Sequence, residues 1–283
     1  MTVAKPSASV VPHPWNRSFE WTVPEPPFTT LTLEQAQQFS HEGFVVLPRV
    51  FDEAHLEPIV AEIDEREAEL EELLRGVDGG RVAIAEADAI TFTTHLASRS
   101  NLLREFATHP VFLGLCLDLI GADVNLYWDQ AVYKKPQKPR RFPWHQDNGY
   151  AFVEPQQYLT CWVALTDATA DNGCPQVARG HHLRGTLHHR YVDPLGWECF
   201  SDPDDVAVAE VEAGGIVVFS SLTPHLTGPN TTGSVRKAYI LQYAPHGAEI
   251  LEGDPESAAP PTRRAADDPT RQFPVLRDGR PVV

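Results

Sequence analysis

A chain of 283 residues is long enough to bury a sizeable core, as one large domain or two ordinary ones. Its 39 acidic residues outnumber 23 basic ones for a formal net charge of −16, a balance that opposes sequence-independent binding to nucleic acid or to an anionic membrane surface. No apolar run approaches a membrane span, the N-terminus lacks an apolar signal core, and Cys116, Cys161, Cys174 and Cys199 carry no Cys-x-x-Cys spacing; no membrane helix, zinc knuckle or disulfide framework is therefore expected, and the chain reads as cytoplasmic.

Residues 1–30 carry Pro6, Pro12, Pro14, Pro24, Pro26 and Pro27, which cannot sustain a helix, so an extended segment is expected. Trp15, Phe19 and Trp21 argue that it docks on the protein, against the alternative of a free leader. A single domain is expected over residues 31–250, with a helical layer over 31–120 and a β core over 121–250. Thr32-Leu33-Glu34-Gln35 is a capping box. It opens a helix to about Glu42 that Gly43 stops, and Phe44-Val45-Val46-Leu47 then reads as a short buried strand ended by Pro48. Asp52 caps a second helix in which Leu56, Ile59, Val60, Ile63, Leu70 and Leu73 recur at helical spacing. Glu62, Glu65, Glu67, Glu69, Glu71 and Glu72 read as its solvated face. Residues 77–80 form a loop, and residues 98–120 hold two more helical stretches interrupted at Pro110.

From Val124 onward the pattern is β: strands are expected over 124–133, 158–165, 206–211, 216–219 and 237–243, separated by turn signals such as Asp171-Asn172-Gly173 and Ala213-Gly214-Gly215. Short antiparallel strands with long connections give a mainly β fold with flanking α-helices, a cupin-like jelly roll. Residues 251–283 form a tail whose Pro, Ala and Asp composition marks a surface excursion. Its end, with Asp278-Gly279, reads as a hairpin.

The chemistry is carried by Trp144-His145-Gln146-Asp147. On an extended backbone His145 and Asp147 share a face, because strand side chains alternate with period two. His225, after the apolar run Ile216-Val217-Val218-Phe219, supplies a third ligand. Two imidazoles and a carboxylate with open positions are the ligand set of non-heme Fe(II) oxygenases. With Arg236 eleven residues further on, the series His145-x-Asp147, His225, Arg236 resembles the phytanoyl-CoA dioxygenase family of Fe(II)/2-oxoglutarate oxygenases, over residues 31–243.

The resemblance implies a double-stranded β-helix, with Fe(II) held by His145, Asp147 and His225 and with 2-oxoglutarate chelating the metal. It implies that Arg236 grips the distal carboxylate of 2-oxoglutarate, as a guanidinium fork can, with Thr227 adding a hydroxyl. Trp162 and Gln130 would line the cosubstrate pocket; Trp162 also reads simply as a core indole. The implied reaction uses O2 to decarboxylate 2-oxoglutarate to succinate and CO2 and to hydroxylate an unactivated C–H bond of a small organic metabolite, with ascorbate as a stimulant. Retention of Asp147 favours this over halogenation. Desaturation, ring chemistry, an acyl-CoA substrate, or a non-catalytic metal-binding jelly-roll module are the alternatives.

The histidines 181, 182, 188 and 189 lack a carboxylate or cysteine at ligand spacing, and His182 is expected as a hydrogen-bonding core residue. Ser220 and Ser221 stand outside any Gly-x-Ser-x-Gly elbow. The basic cluster Lys134-Lys135-Pro136-Gln137-Lys138-Pro139-Arg140-Arg141 allows two readings: a solvated loop, or a positive field at the pocket mouth that draws in an anionic substrate.

Overall fold

The computed structural model describes residues 10–282; Pro6 lies outside the described residues. The elements that position the site are, in chain order, α1 (Leu33–Glu42), β1 (Phe44–Leu47), α2 (Glu53–Gly76), β2 (Ile90–Thr94), α3 (Asn101–Ala107), α4 (Pro110–Leu119), β3 (Val124–Lys134), β4 (Phe142–His145), β5 (Leu159–Ala164), β6 (Pro175–Ala178), β7 (Val206–Val208), β8 (Ile216–Ser220), β9 (His225–Thr227) and β10 (Arg236–Pro245). The major sheet runs β1-β8-β5-β10-β3-β2 and continues into a small hairpin of Arg81–Val82 and Ala85–Glu86; the minor sheet runs β7-β6-β9-β4. All pairings are antiparallel, as a jelly roll requires.

Alternation along β3, β5 and β10 divides the core. Cys161, Val163, Tyr239 and Leu241 face the helices and pack with Ile59, Ile63, Phe106 and Phe112, while Trp162, Ala164, Ala238 and Ile240 face the minor sheet and pack with Phe142 and Val177. The second group closes the barrel interior where the site lies.

Local signals explain the helical layer. The Thr32 side chain accepts from the Gln35 amide and Gln35 reaches back, and Gly43 ends α1 at φ 86°, a left-handed position open to glycine. The Asp52 carboxylate caps α2. In α2 the buried row is Leu56, Ile59, Ile63, Glu67, Glu71 and Leu74, a spacing of three and four residues. This corrects two expectations: Leu73 is 59% exposed, with Leu74 buried in its place, and Glu67 and Glu71 are not solvated. Both carboxylates meet the Lys135 ammonium, at 2.9 and 3.1 Å, and Glu67 accepts from the Thr91 hydroxyl at 2.7 Å. Burial of these acids is tolerated because they are paired.

The span 31–120 is not wholly helical, since β1 and β2 join the major sheet. Short, threonine-rich Ile90-Thr91-Phe92-Thr93-Thr94 gives little hydrophobic alternation, and its pairing with β3 is what makes it a strand. The strand expected over 206–211 stops at Val208, and Val211 makes only an isolated bridge to Ala168.

The described part of the N-terminal segment docks. The Asp118 carboxylate in α4 accepts from the Thr29, Thr30 and Leu31 amides, Trp15 packs on Phe152, and Trp21 packs on Phe39 and His182. The terminal hairpin also forms: Phe273–Arg277 pairs with β3 and with Arg280–Pro281, through Asp278 and Gly279 at φ 49° and 70°. All four cysteines are buried and unpaired. Among the described residues no helix is long and apolar enough to cross a membrane.

Candidate metal and cosubstrate site

His145 ends β4 and His225 opens β9, and the two are cross-strand partners. Their rings lie 4.1 Å apart between centroids. Each imidazole is held from behind by the carbonyl two residues earlier: Nδ1 of His145 sits 2.8 Å from the Pro143 oxygen and Nδ1 of His225 sits 3.0 Å from the Thr223 oxygen. A proton on Nδ1 satisfies those carbonyls and leaves Nε2 as a free lone pair, the tautomer a metal ligand needs. Both Nε2 atoms lie 3.8 Å from Asp147 Oδ1.

Asp147 does not continue the strand. Gln146 is still extended, and Asp147 begins the 3-10 turn Asp147–Gly149, so the shared face expected from strand alternation arises at a strand end and not within one. The turn is pinned from several sides. The Gln146 side chain donates to the Gly185 and Leu222 carbonyls and accepts from the Leu187 amide, and the Gln146 backbone N–H donates to His189 Nε2 at 2.9 Å. Gly149 lies so close to this ring that a Cβ would come within 2.1 Å of His189, hence glycine. Asp147 Oδ2 accepts the Thr160 hydroxyl at 2.5 Å, which leaves Oδ1 for the imidazoles. The three ligand atoms fall within 4.8 Å of one another, so one divalent ion could meet all three. Burial, then the neighbouring His225, pushes the His145 imidazole well below its usual range, keeping it neutral as a ligand must be.

Deeper in the same cavity lies Arg236, the first residue of β10, beside Trp162, Thr227 and Gln130. It is 1% exposed. One guanidinium nitrogen donates to the Val132 carbonyl at 3.2 Å, and Nε and the other terminal nitrogen have no partner. Among the described residues no carboxylate pairs with it, and burial pulls it down to about 9. A desolvated guanidinium with two idle donors fits a carboxylate ligand. The Trp162 ring, part of the buried core, lies 5.2 Å from it, centroid to guanidinium carbon, within cation–π range. Cross-strand register sets Trp162, Ile240 and Gln130 in one row.

The structure thus gathers all seven residues singled out in the sequence: His145, Asp147, His225, Arg236, Thr227, Trp162 and Gln130 line one cavity. Sequence reasoning missed Thr160, Gln146 and His189. Thr160 was findable two residues before Trp162 on the same strand face; the other two had no pattern to mark them. His182 is buried and bonds the Ser40 carbonyl at 3.0 Å, as a core histidine.

The basic cluster is a loop solvated only in part: Gln137, Lys138 and Pro139 are exposed, while its other basic side chains are partly or fully buried. Lys134 is buried and donates to the Arg140, Thr227 and Gly228 carbonyls, Lys135 pairs with Glu67 and Glu71, Lys138 and Arg140 meet Glu86, and Arg141 meets Glu198. Most of its charge is thus engaged by the protein's own carboxylates and carbonyls, with Lys138 and Arg140 sharing Glu86 and Lys138 remaining exposed.

The sequence model for phytanoyl-CoA dioxygenase matches residues 39–238. The chain is 27% identical to methylphosphonate hydroxylase of Gimesia maris, over 80% of this chain and 84% of that protein. Its fold is shared with the non-heme alpha-ketoglutarate-dependent carbocyclase SnoK from nogalamycin biosynthesis, at TM-score 0.65 and 24% identity over 80% of this chain and 89% of that one. It is shared as well with the epimerase SnoN, solved with Fe3+, alpha-ketoglutarate and nogalamycin RO, at TM-score 0.62 and 21% identity over 82% and 93% of the two chains.

Proposed function

Since the chain belongs to the phytanoyl-CoA dioxygenase family, we propose that His145, Asp147 and His225 hold the Fe(II) of a 2-oxoglutarate-dependent non-heme iron dioxygenase, that Arg236 with Thr227 holds the distal carboxylate of 2-oxoglutarate, and that the outcome is hydroxylation of a small organic metabolite. The observation that carries the assignment is the buried Arg236 guanidinium, with two nitrogens unpartnered, in the cavity of the three converging ligands. A metal-binding module without turnover would have no use for so costly a cation.

Iron, 2-oxoglutarate and O2 together supply the oxidant that removes hydrogen from an unactivated C–H bond, with release of succinate and CO2. The chain's residues do the rest. The Pro143 and Thr223 carbonyls aim the two imidazoles, Thr160 turns the Asp147 carboxylate, and Arg236 sets the cosubstrate in one orientation while Trp162 and Gln130 wall it in. We assign residues 31–250 as the oxygenase domain and place the enzyme in the cytoplasm, where its unpaired cysteines stay reduced.

Succinate release with Fe(II), ascorbate and a panel of candidate substrates, followed by mass spectrometry, tests this reading. Hydroxylation appears as a gain of one oxygen, and ring closure or desaturation appears as a loss of two hydrogens. His225→Ala should keep the fold and abolish substrate-dependent succinate; full turnover in that variant would refute the ligand assignment.

A further inference from the structure

A second cavity, of about 450 Å³, opens outward from Asp147 and His145, a size usual for small-molecule sites. Its wall is built by a bulge. In the register of β3 against β10, Gln242 faces Trp128 while Tyr243 faces Leu126, so Tyr127 is the extra residue, and two consecutive aromatics, Tyr127 and Trp128, both line the cavity. A regular strand would send them to opposite faces. Opposite stand Phe92 and Phe142, 5.5 Å apart between centroids, and Val82 and Ile84 of the hairpin roof the space. Arg140 fastens that roof, meeting Glu86 at 2.8 Å and the Ile84 carbonyl, which is the use the fold makes of the basic cluster here.

Among the described residues the lining holds no lysine or arginine, and its sole acid is Asp147, already assigned to the metal. Arg264 and Arg271 line a neighbouring pocket that shares Tyr127, Trp128, Tyr150 and Ala151 with this one, and they are paired with Glu252 and Asp268. What faces the space instead is neutral: the Gln130 and Gln242 carboxamides and the Thr94 hydroxyl. An anion drawn into such a wall would lose its water without gaining a cation.

We propose that this outer cavity binds an uncharged, largely apolar, ring-bearing substrate, stacked on Trp128 and Tyr127 and held by its carbonyl or hydroxyl oxygens through Gln130, Gln242 and Thr94. The proposal rests on the oxygenase reading only in taking Asp147 and His145 as the reactive end. It sets this chain apart from a phosphonate or acyl-CoA oxygenase, whose substrates are anions.

Binding of neutral ring compounds (coumarin, flavone, progesterone), of anions (methylphosphonate, palmitoyl-CoA) and of zwitterionic ectoine is measured by intrinsic tryptophan fluorescence and calorimetry, on full-length protein with Mn(II) and 2-oxoglutarate. At least one neutral compound should bind saturably, at least tenfold more tightly than every charged one. Trp128→Ala should weaken it tenfold or more, and Gln242→Leu several-fold, while Mn(II)-dependent 2-oxoglutarate binding is unchanged. Saturable binding of a charged probe in preference to all neutral ones, no neutral binding at all, or neutral binding indifferent to both variants would overturn the proposal. Loss of 2-oxoglutarate binding in the wild type with neutral binding intact would sink the oxygenase reading and leave this one standing.

Discussion

Thr160 shows how one hydroxyl can set a metal site. Its 2.5 Å hydrogen bond to Asp147 Oδ2 fixes which carboxylate oxygen faces the imidazoles, and partners of this kind typically contribute 10- to 100-fold to metal affinity. Thr160→Val, nearly equal in volume, should weaken Mn(II) binding by roughly that factor with little change in unfolding midpoint; unaltered affinity would show the bond to be incidental. At this scale the sequence was most legible for residues whose chemistry is rare elsewhere. Two histidines, an aspartate and an arginine with a recognisable order identified themselves, whereas Thr160, Gln146 and His189 act through partners distant in sequence and look like ordinary polar residues until the chain is folded.

In α2, the helix period was readable but the identity of the buried face was not, because Glu67 and Glu71 occupy core positions and are compensated by Lys135, more than sixty residues later. Lys135→Ala should destabilise the protein by about 3 to 5 kcal/mol, since two buried carboxylates lose the ammonium they share, and urea unfolding measures it; a shift under about 1 kcal/mol would mean that water, Thr91 and Arg75 suffice to hold them. The turn that carries His182 makes a pH prediction. Burial lowers this imidazole from its ordinary 6.5 to about 4, so the unfolded chain takes up a proton that the native state refuses. Stability is then full above pH 6.5 and falls as pH drops toward 4, by up to about 3 kcal/mol from this residue. His182→Gln should flatten that acid limb relative to wild type; an identical slope between pH 6.5 and 4 would count against it. Strand character was legible in β3, β5, β8 and β10 from alternating or continuous apolar residues, but β2, β4, β6 and β9 are short or polar and exist through their neighbours.

Across the whole molecule, the jelly roll brings β3, β4, β5, β9 and β10 around one interior, so residues from 130 to 236 converge on a single centre that no local pattern could reveal. The net charge of −16 described the surface, while the basic cluster, which looked like a wholly solvated surface feature, proved to be tied largely to the protein's own carboxylates and carbonyls. Arg236, buried with two guanidinium nitrogens unpartnered, makes the decisive test. Calorimetric titration of 2-oxoglutarate into Mn(II)-loaded protein, wild type beside Arg236→Ala, should show unchanged metal stoichiometry and a cosubstrate affinity lowered by about 2 to 5 kcal/mol, the usual loss when one member of a buried charged pair is removed. Equal affinities for 2-oxoglutarate in the two proteins would contradict the account.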